Sequence, residues 1–250
     1  MRAEKPMEAR RASDRPRYRW LIFDADGTLF DFHRGETVAL QSTTDRYGIS
    51  YSMHLHDVYA AISTDLWWRF ERGEMPLERL RVMRFERLFS DLGIDLEPET
   101  FNDDFMEALG RQTQLLEGAE DVVRDLSARF RLLLATNGIA VVQRARFSRA
   151  SIRKYFEDVV ISDEIGVAKP QTEYMDEAFL RMGDPPKSEV LMIGDSLSSD
   201  ISAGANYGID TCWFNPDRLP LDGFPKPTFT IEDLSEIDAI VSGDYPNRRS

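Results

Sequence analysis

Trp20-Leu-Ile-Phe-Asp-Ala-Asp-Gly-Thr28 is the stretch whose reading decides the fold. Four apolar residues, Trp20–Phe23, run without polar alternation and stop at Asp24, the first of two carboxylates spaced two apart. A short unalternated run suits a parallel strand buried on both faces. The same pattern recurs downstream: Leu132–Ala135 stops at Thr136, Val159–Ile161 at Ser162 and Val190–Ile193 at Gly194. Helix-like stretches over 118–128, 138–150, 170–182 and 198–207 separate these runs. Strands alternating with helices predict an α/β fold, a doubly wound Rossmann-like parallel sheet. A strand near Thr211–Phe214 and a short helix near 232–241 are expected to finish it.

Residues 33–113 break the rhythm and read as helix after helix, roughly 34–47, 53–71, 76–91 and 98–112. Gly48 and Gly93 stand where two of these should stop, and Pro76 suits a first helical turn. Eighty residues are too many for a loop, so the expected organisation is a core over 18–32 and 114–245 with a helical cap inserted over 33–113. Residues 1–17, rich in Arg and poor in large apolar groups, are expected to form a disordered tail.

A formal net charge of −13 argues against a nucleic-acid polymer or an anionic membrane as partner, and no apolar run approaches the roughly 18 residues of a membrane span. The single cysteine, Cys212, rules out an internal disulfide and points to a reducing, cytoplasmic setting. An anionic substrate must then be attracted locally, against the overall field.

Four polar clusters follow the apolar runs: Asp24-Ala-Asp-Gly-Thr28, Thr136-Asn-Gly138, Lys169-Pro170 and Gly194-Asp-Ser-Leu-Ser-Ser-Asp200. In an open α/β sheet, ligands bind at the carboxyl ends of the strands, so the clusters can converge. Asp24 is placed to attack phosphorus as a nucleophile and Asp26 to act as general acid and then base, a contribution of about 10²–10⁴-fold. Phosphate monoester hydrolysis needs far more, enhancements reaching about 10²¹, so charge stabilisation must carry much of it. Lys169 could neutralise the attacking carboxylate and phosphate oxygens. Thr136 and Asn137 offer donors at a helix start, where the dipole favours an anion. Asp24 and Asp195 supply the hard oxygens that Mg²⁺ prefers. Taken singly, each cluster reads as a cap or a turn; in this order at strand ends they read as one site.

These residues resemble the haloacid dehalogenase superfamily of aspartate-nucleophile hydrolases over about 18–215. Asp24, Asp26 and Thr28 fit its Asp-x-Asp-x-Thr pattern, and Thr136 its second motif. Lys169 fits the third, and Gly194, Asp195 and Asp200 the fourth. The resemblance implies that Asp24 is the nucleophile and Asp26 the acid/base. It implies Mg²⁺ held by Asp24, the Asp26 carbonyl and Asp195, with Asp200 orienting Lys169 or a metal-bound water, and a helical cap closing over the substrate. An aspartate at position 26 speaks against a dehalogenase. Phe23–Phe30, Val160–Pro170 and Met192–Asp195 through Gly208 look similar to the bacterial pyrimidine 5′-nucleotidases.

The expected activity is therefore Mg²⁺-dependent hydrolysis of a small phosphorylated metabolite, with a mononucleotide first. A sugar phosphomutase or another metabolite phosphatase, such as one for phosphoglycolate, uses the same inventory. A receiver-type signalling domain also unites such groups, but the long insertion and Asp26 tell against it. A non-catalytic phosphate-binding protein would be expected to lack the nucleophile or the acid, and neither is missing. One of the adjacent Trp67 and Trp68, together with Phe30 and Phe32, is a candidate for the cleft walls, with ordinary packing the simpler expectation. His54 and His56, two apart, do not share a helical face, so no metal site is expected there.

Overall fold

The computed structural model describes residues 17–245, so the expected N-terminal tail, apart from Arg17, lies outside the described residues. The sheet has six parallel strands: β1 (Trp20–Phe23), β2 (Arg131–Thr136), β3 (Asp158–Ile161), β4 (Val190–Gly194), β5 (Asp210–Phe214) and β6 (Phe229–Ile231). Their order is β3-β2-β1-β4-β5-β6, so the direction of winding reverses between β1 and β4. That reversal opens a crevice beyond the strand ends.

The period of two along each strand explains the burial on both faces. Leu21 and Phe23 of β1 join Leu132 and Leu134 of β2 on one face, while Trp20 and Ile22 join Leu133 and Ala135 on the other. The first face is covered by α5 (Ala119–Ser127), α6 (Ala140–Arg149) and α10 (Glu236–Ser242), through Val123, Leu126, Phe147, Ile237 and Ile240. The second is covered by α8 (Thr172–Met182) and α9 (Ser202–Tyr207), through Tyr174, Met175, Phe179 and Ala203. Gly204 on α9 is there for a close approach: a Cβ would lie 2.4 Å from Thr211 Cγ2 on β5.

Four helices lie between the first and second strands: α1 (Phe32–Arg46), α2 (Met53–Glu71), α3 (Leu77–Leu92) and α4 (Pro98–Leu109). The Asp31 and Ser52 side chains cap α1 and α2 by accepting from Arg34 and Leu55 N–H groups. Gly93 ends α3 at φ +65°, a left-handed stop that glycine adopts without strain. These helices bury an aromatic cluster of their own, in which the Phe85 ring lies 4.9 Å from Phe101, 5.2 Å from Phe105 and 5.7 Å from Tyr59. The chain leaves the sheet and returns to it side by side, with Asp31 N–H bonded to Gln114 O and Leu116 N–H to Leu29 O.

Three details differ from the sequence reading. The helix expected over 198–207 opens as a wider π turn, Leu197–Ile201, before α9 begins. Strand β6, with only three residues, carries too short a pattern to be seen in sequence. Lys169 does not stand directly at a strand end, because a four-residue helix, α7 (Ser162–Ile165), and a short loop separate it from β3.

Truncating Phe85 removes the ring that joins Tyr59, Phe101 and Phe105. Phe85→Ala should lower unfolding free energy by about 3–5 kcal/mol, read from urea denaturation followed by near-ultraviolet circular dichroism. A loss below about 0.5 kcal/mol, the level of an ordinary surface change, would remove the aromatic cluster as the support of this layer.

Candidate active site

The first cluster leaves β1 and turns back at once, with Leu29 and Phe30 N–H groups both bonded to Ala25 O. Asp24 is fixed at the turn's mouth by its own N–H to Ile193 O of β4, 2.9 Å. Gly27 takes φ +87°, and a Cβ there would lie 2.5 Å from Asp195 Oδ2. Glycine is thus required twice at this position, for the backbone and for the approach of Asp195. Thr28 Oγ1 donates to Asp195 Oδ1 at 2.9 Å, and Trp213 Nε1 donates to the Asp195 carbonyl at 2.8 Å.

Lys169 sits at the centre, 1% exposed. Its ammonium donates to Asp24 Oδ1 at 2.6 Å, Asp200 Oδ1 at 2.6 Å and Ala135 O at 2.8 Å. Three N–H donors meet three acceptors, so the side chain is fully used. Burial alone would push the ammonium's pKa down, but the Asp200 and Asp24 carboxylates outweigh it and hold the group above its ordinary value. Asp200 also accepts from Ser196 N–H at 3.1 Å, and a Cβ on Gly194 would lie 2.2 Å from Asp200 Oδ2. The glycine in the fourth cluster is the space in which Asp200 lies.

Three carboxylates therefore face one ammonium. Oxygens of Asp24, Asp195 and Asp200 all lie within 4.8 Å of one another. Like charges about 4 Å apart repel by roughly 4 kcal/mol at an effective dielectric of about 20. Burial, then the Asp200 charge, pushes Asp195 up to about 7, against the opposing pull of the Thr28 hydroxyl. Burial and Asp200 likewise raise Asp24 well above the usual carboxylate range, with Lys169 opposing them. Hard, anionic oxygens with uncompensated charge are a donor set that fits a small divalent cation.

The structure also places the second cluster. Thr136 ends β2, buried, and its Oγ1 accepts from Gly138 N–H at 3.0 Å, leaving the hydroxyl hydrogen for another acceptor. Expected as a phosphate donor, the Asn137 side chain is instead spent on Lys169: its Nδ2 donates to Lys169 O and its Oδ1 accepts from Lys169 N–H, both at 2.8 Å. The lysine's backbone is clamped on both sides, which sets where its ammonium reaches. The Asn137 Nδ2 group also donates to Ser199 Oγ at 3.2 Å.

Asp24, Asp26, Thr136, Asn137, Asp195 and Asp200 all line one cleft of about 250 Å³ beneath the inserted helices. Its outer wall is apolar, with Phe32, Trp67, Leu109, Ile139 and Val142. Trp67 thus faces the cleft, while Trp68 lies half exposed beneath the Arg72 guanidinium, and Phe30 is buried away from it. The sequence reading missed Glu71 and Arg84, which add polar groups to this wall from α2 and α3. Glu71 accepts from Ser198 Oγ at 2.7 Å, joining the inserted layer to the fourth cluster, and burial raises its pKa despite that bond. It missed Gln143 and Arg146 of α6 as well, whose side chains donate to Asp26. None of these carries a motif; their common signal is a polar side chain on a helix face turned to the core, which becomes visible only with the fold.

A family profile described as haloacid dehalogenase-like hydrolase matches residues 18–208. The chain is 33% identical to pyrimidine 5′-nucleotidase YjjG of Escherichia coli over 222 residues, 89% of this chain and 97% of that protein. It is also 33% identical to pyrimidine 5′-nucleotidase PynA of Streptococcus pneumoniae over 221 residues, covering 88% of this chain and 93% of that protein. The crystal structure of HAD-hydrolase YfnB from Bacillus subtilis, bound to magnesium and revealing interdomain movement, superposes with a TM-score of 0.86 at 33% identity. It covers 90% of this chain and 99% of that one.

Neutralising Asp195 gives a signed test of the charge imbalance. Asp195→Asn should raise the melting temperature of the metal-free protein, because it removes a buried like charge while its Oδ1 can still accept from Thr28. In the unsubstituted protein, a divalent cation at 100 times its Kd should add about 2.7 kcal/mol, or roughly 5–10 °C. The variant should lose most of that gain. An unchanged cation response in Asp195→Asn, read by differential scanning calorimetry, would place the cation elsewhere.

Proposed function

The chain belongs to the haloacid dehalogenase-like hydrolases and is a phosphatase, and from that membership we propose that it hydrolyses nucleoside 5′-monophosphates, pyrimidine first, through an aspartyl-phosphate. The observation that carries this reading is the meeting of Asp24, Asp26 and Asp195 at one cleft, with Lys169 bonded to Asp24 behind it and an apolar wall with two polar groups on the far side. A phosphate fits the charged end, and a flat base fits against Trp67 and Phe32, since an aromatic wall contributes stacking as well as burial. The names of YjjG and PynA support the pyrimidine nucleotide. A cleft of this size suits a small metabolite.

In the proposed reaction an Asp24 oxygen attacks phosphorus as the bond to the leaving oxygen breaks, and Asp26 gives that oxygen a proton. Lys169 holds the Asp24 carboxylate in place and screens its charge from the incoming phosphate. Water then attacks the aspartyl-phosphate, giving its proton to Asp26 and restoring Asp24. Thr136, with a hydroxyl hydrogen to donate, is the proposed phosphate contact. Mg²⁺ held by Asp24, Asp195 and the Asp26 carbonyl would supply the positive charge that brings two anions together. Asp200 is assigned to fixing Lys169. Residues 33–113 are proposed to act as a cap over the core formed by 18–32 and 114–245. The lone, buried Cys212 fits a reducing compartment, and the cytoplasm is the proposed one. Among the described residues no helix is long and apolar enough to cross a membrane.

Phosphate release from a panel of metabolites with Mg²⁺ checks the reading. Pyrimidine nucleoside monophosphates should be hydrolysed with the highest kcat/KM, and Asp24→Asn should release none. Mass spectrometry of protein quenched in acid during turnover should find phosphate on Asp24. Full activity in Asp24→Asn sinks the nucleophile assignment, and preference for a sugar phosphate replaces the nucleotide while keeping the reaction.

A further inference from the structure

Two buried polar side chains on α6 converge on the Asp26 carboxylate. Gln143 and Arg146 are three residues apart and share one helix face. Gln143 Nε2 donates to Asp26 Oδ2 at 2.6 Å, and Arg146 Nη1 donates to Asp26 Oδ1. Each oxygen is thus held by one donor and keeps a second lone pair.

Both donors are themselves fixed. Gln143 reaches Asp26 by lying across Gly138, where a Cβ would stand 2.1 Å from its Nε2. Any other residue at 138 would close that path, which gives the third residue of Thr136-Asn-Gly138 its purpose. Arg146 is 1% exposed, donates from Nε to Gln112 O at 2.9 Å and lies over the Phe30 ring, 4.6 Å from its centroid. Beneath them, Ala140 N–H donates to Asp163 Oδ2 at 2.8 Å and anchors the first turn of α6. A guanidinium buried so completely is costly unless it is paired, and Asp26 is its carboxylate partner.

We propose that Gln143 and Arg146 are positioning residues that fix the Asp26 carboxyl for proton transfer, an inference that rests on Asp26 being the proton donor of the proposed reaction. Protonated on one oxygen, Asp26 passes that proton to the leaving oxygen as the P–O bond breaks, which leaves the carboxylate that Arg146 pairs. The carboxylate then takes a proton from the water that attacks the aspartyl-phosphate, so the cycle closes with Asp26 protonated again. Two donors from one rigid helix keep the carboxyl aligned through both transfers.

Leaving-group dependence tests this, since kcat/KM reports formation of the phosphoenzyme. A nucleoside 5′-monophosphate expels an alkoxide that needs a proton, whereas p-nitrophenyl phosphate expels a stable phenolate that does not. With Mg²⁺, Asp26→Asn should lose about 10²–10⁴-fold on the first substrate, the range of general acid catalysis, and far less on the second. Gln143→Ala and Arg146→Ala should show the same bias at about 10–10²-fold, a share of that range, with KM nearly unchanged. Arg146→Lys should recover part of the loss. Gln143→Ala carries the test alone if Arg146→Ala does not fold. A biased Asp26→Asn with unbiased Gln143 and Arg146 variants overturns the positioning role only. An unbiased Asp26→Asn, or wild-type protein inert on both substrates, overturns the reading of the reaction and this inference with it.

Discussion

The buried ammonium of Lys169 is the point on which the site depends. Its contacts reach Asp24 after β1, Ala135 in β2 and Asp200 after β4, so one side chain ties together three strand ends that meet where the sheet reverses. Placing a lysine there costs desolvation, which the two carboxylates outweigh. The arrangement has a further consequence. With all three donors engaged, Lys169 has its charge and the posture of Asp24 as the means by which it could act on an anion. The electrostatics of the site then depend on where Lys169 is held, and Asn137 determines that by gripping its backbone from both sides.

Three glycines serve the same constraint from the opposite direction. Gly27 admits Asp195, Gly194 admits Asp200 and Gly138 admits Gln143, each at a distance that a Cβ would forbid. Close approach of carboxylates to backbone is what packs three anionic groups and a cation into so little space. The same proximity creates the charge imbalance, so the packing that forms the site also creates a donor set that fits a divalent cation. Specific chemistry and local electrostatic stress share one origin here, as they do wherever stability gives way to function.

Much of this was legible in the sequence, for identifiable reasons. Parallel strands buried on both faces must be continuously apolar, and Trp20–Phe23 and Val190–Gly194 could hardly read otherwise. Asp24, Asp26, Thr136 and Asp195 stood out because they follow such runs in a fixed order, and Lys169 and Asp200 because they complete that order. What stayed hidden follows from the same reasoning. Gln143 and Arg146 lie inside an amphipathic helix, where a polar residue gives no sign of facing inward. Glu71 and Arg84 depend on how the inserted helices sit over the sheet, which no local pattern encodes. Asn137 was visible, but its partner lies 32 residues away, and a short turn composition cannot say which way an amide points.

The polar contacts between the inserted layer and the core are uneven in their chemistry. Glu71 joins Ser198 at the cleft, whereas Arg81 pairs with Asp163, the same carboxylate that caps the first turn of α6. Asp163 therefore links the layer above the cleft to the helix that carries Gln143 and Arg146. The aromatic cluster gives that layer most of its own packing, with Ile139 and Val142 of the core added to it. The paired segments 29–31 and 114–116 join the layer to the core, and they carry or adjoin Phe30 and Gln112, the two supports of Arg146. The junction between the layer and the core and the contacts that hold Asp26 are in this way adjacent, only a few residues from the cleft.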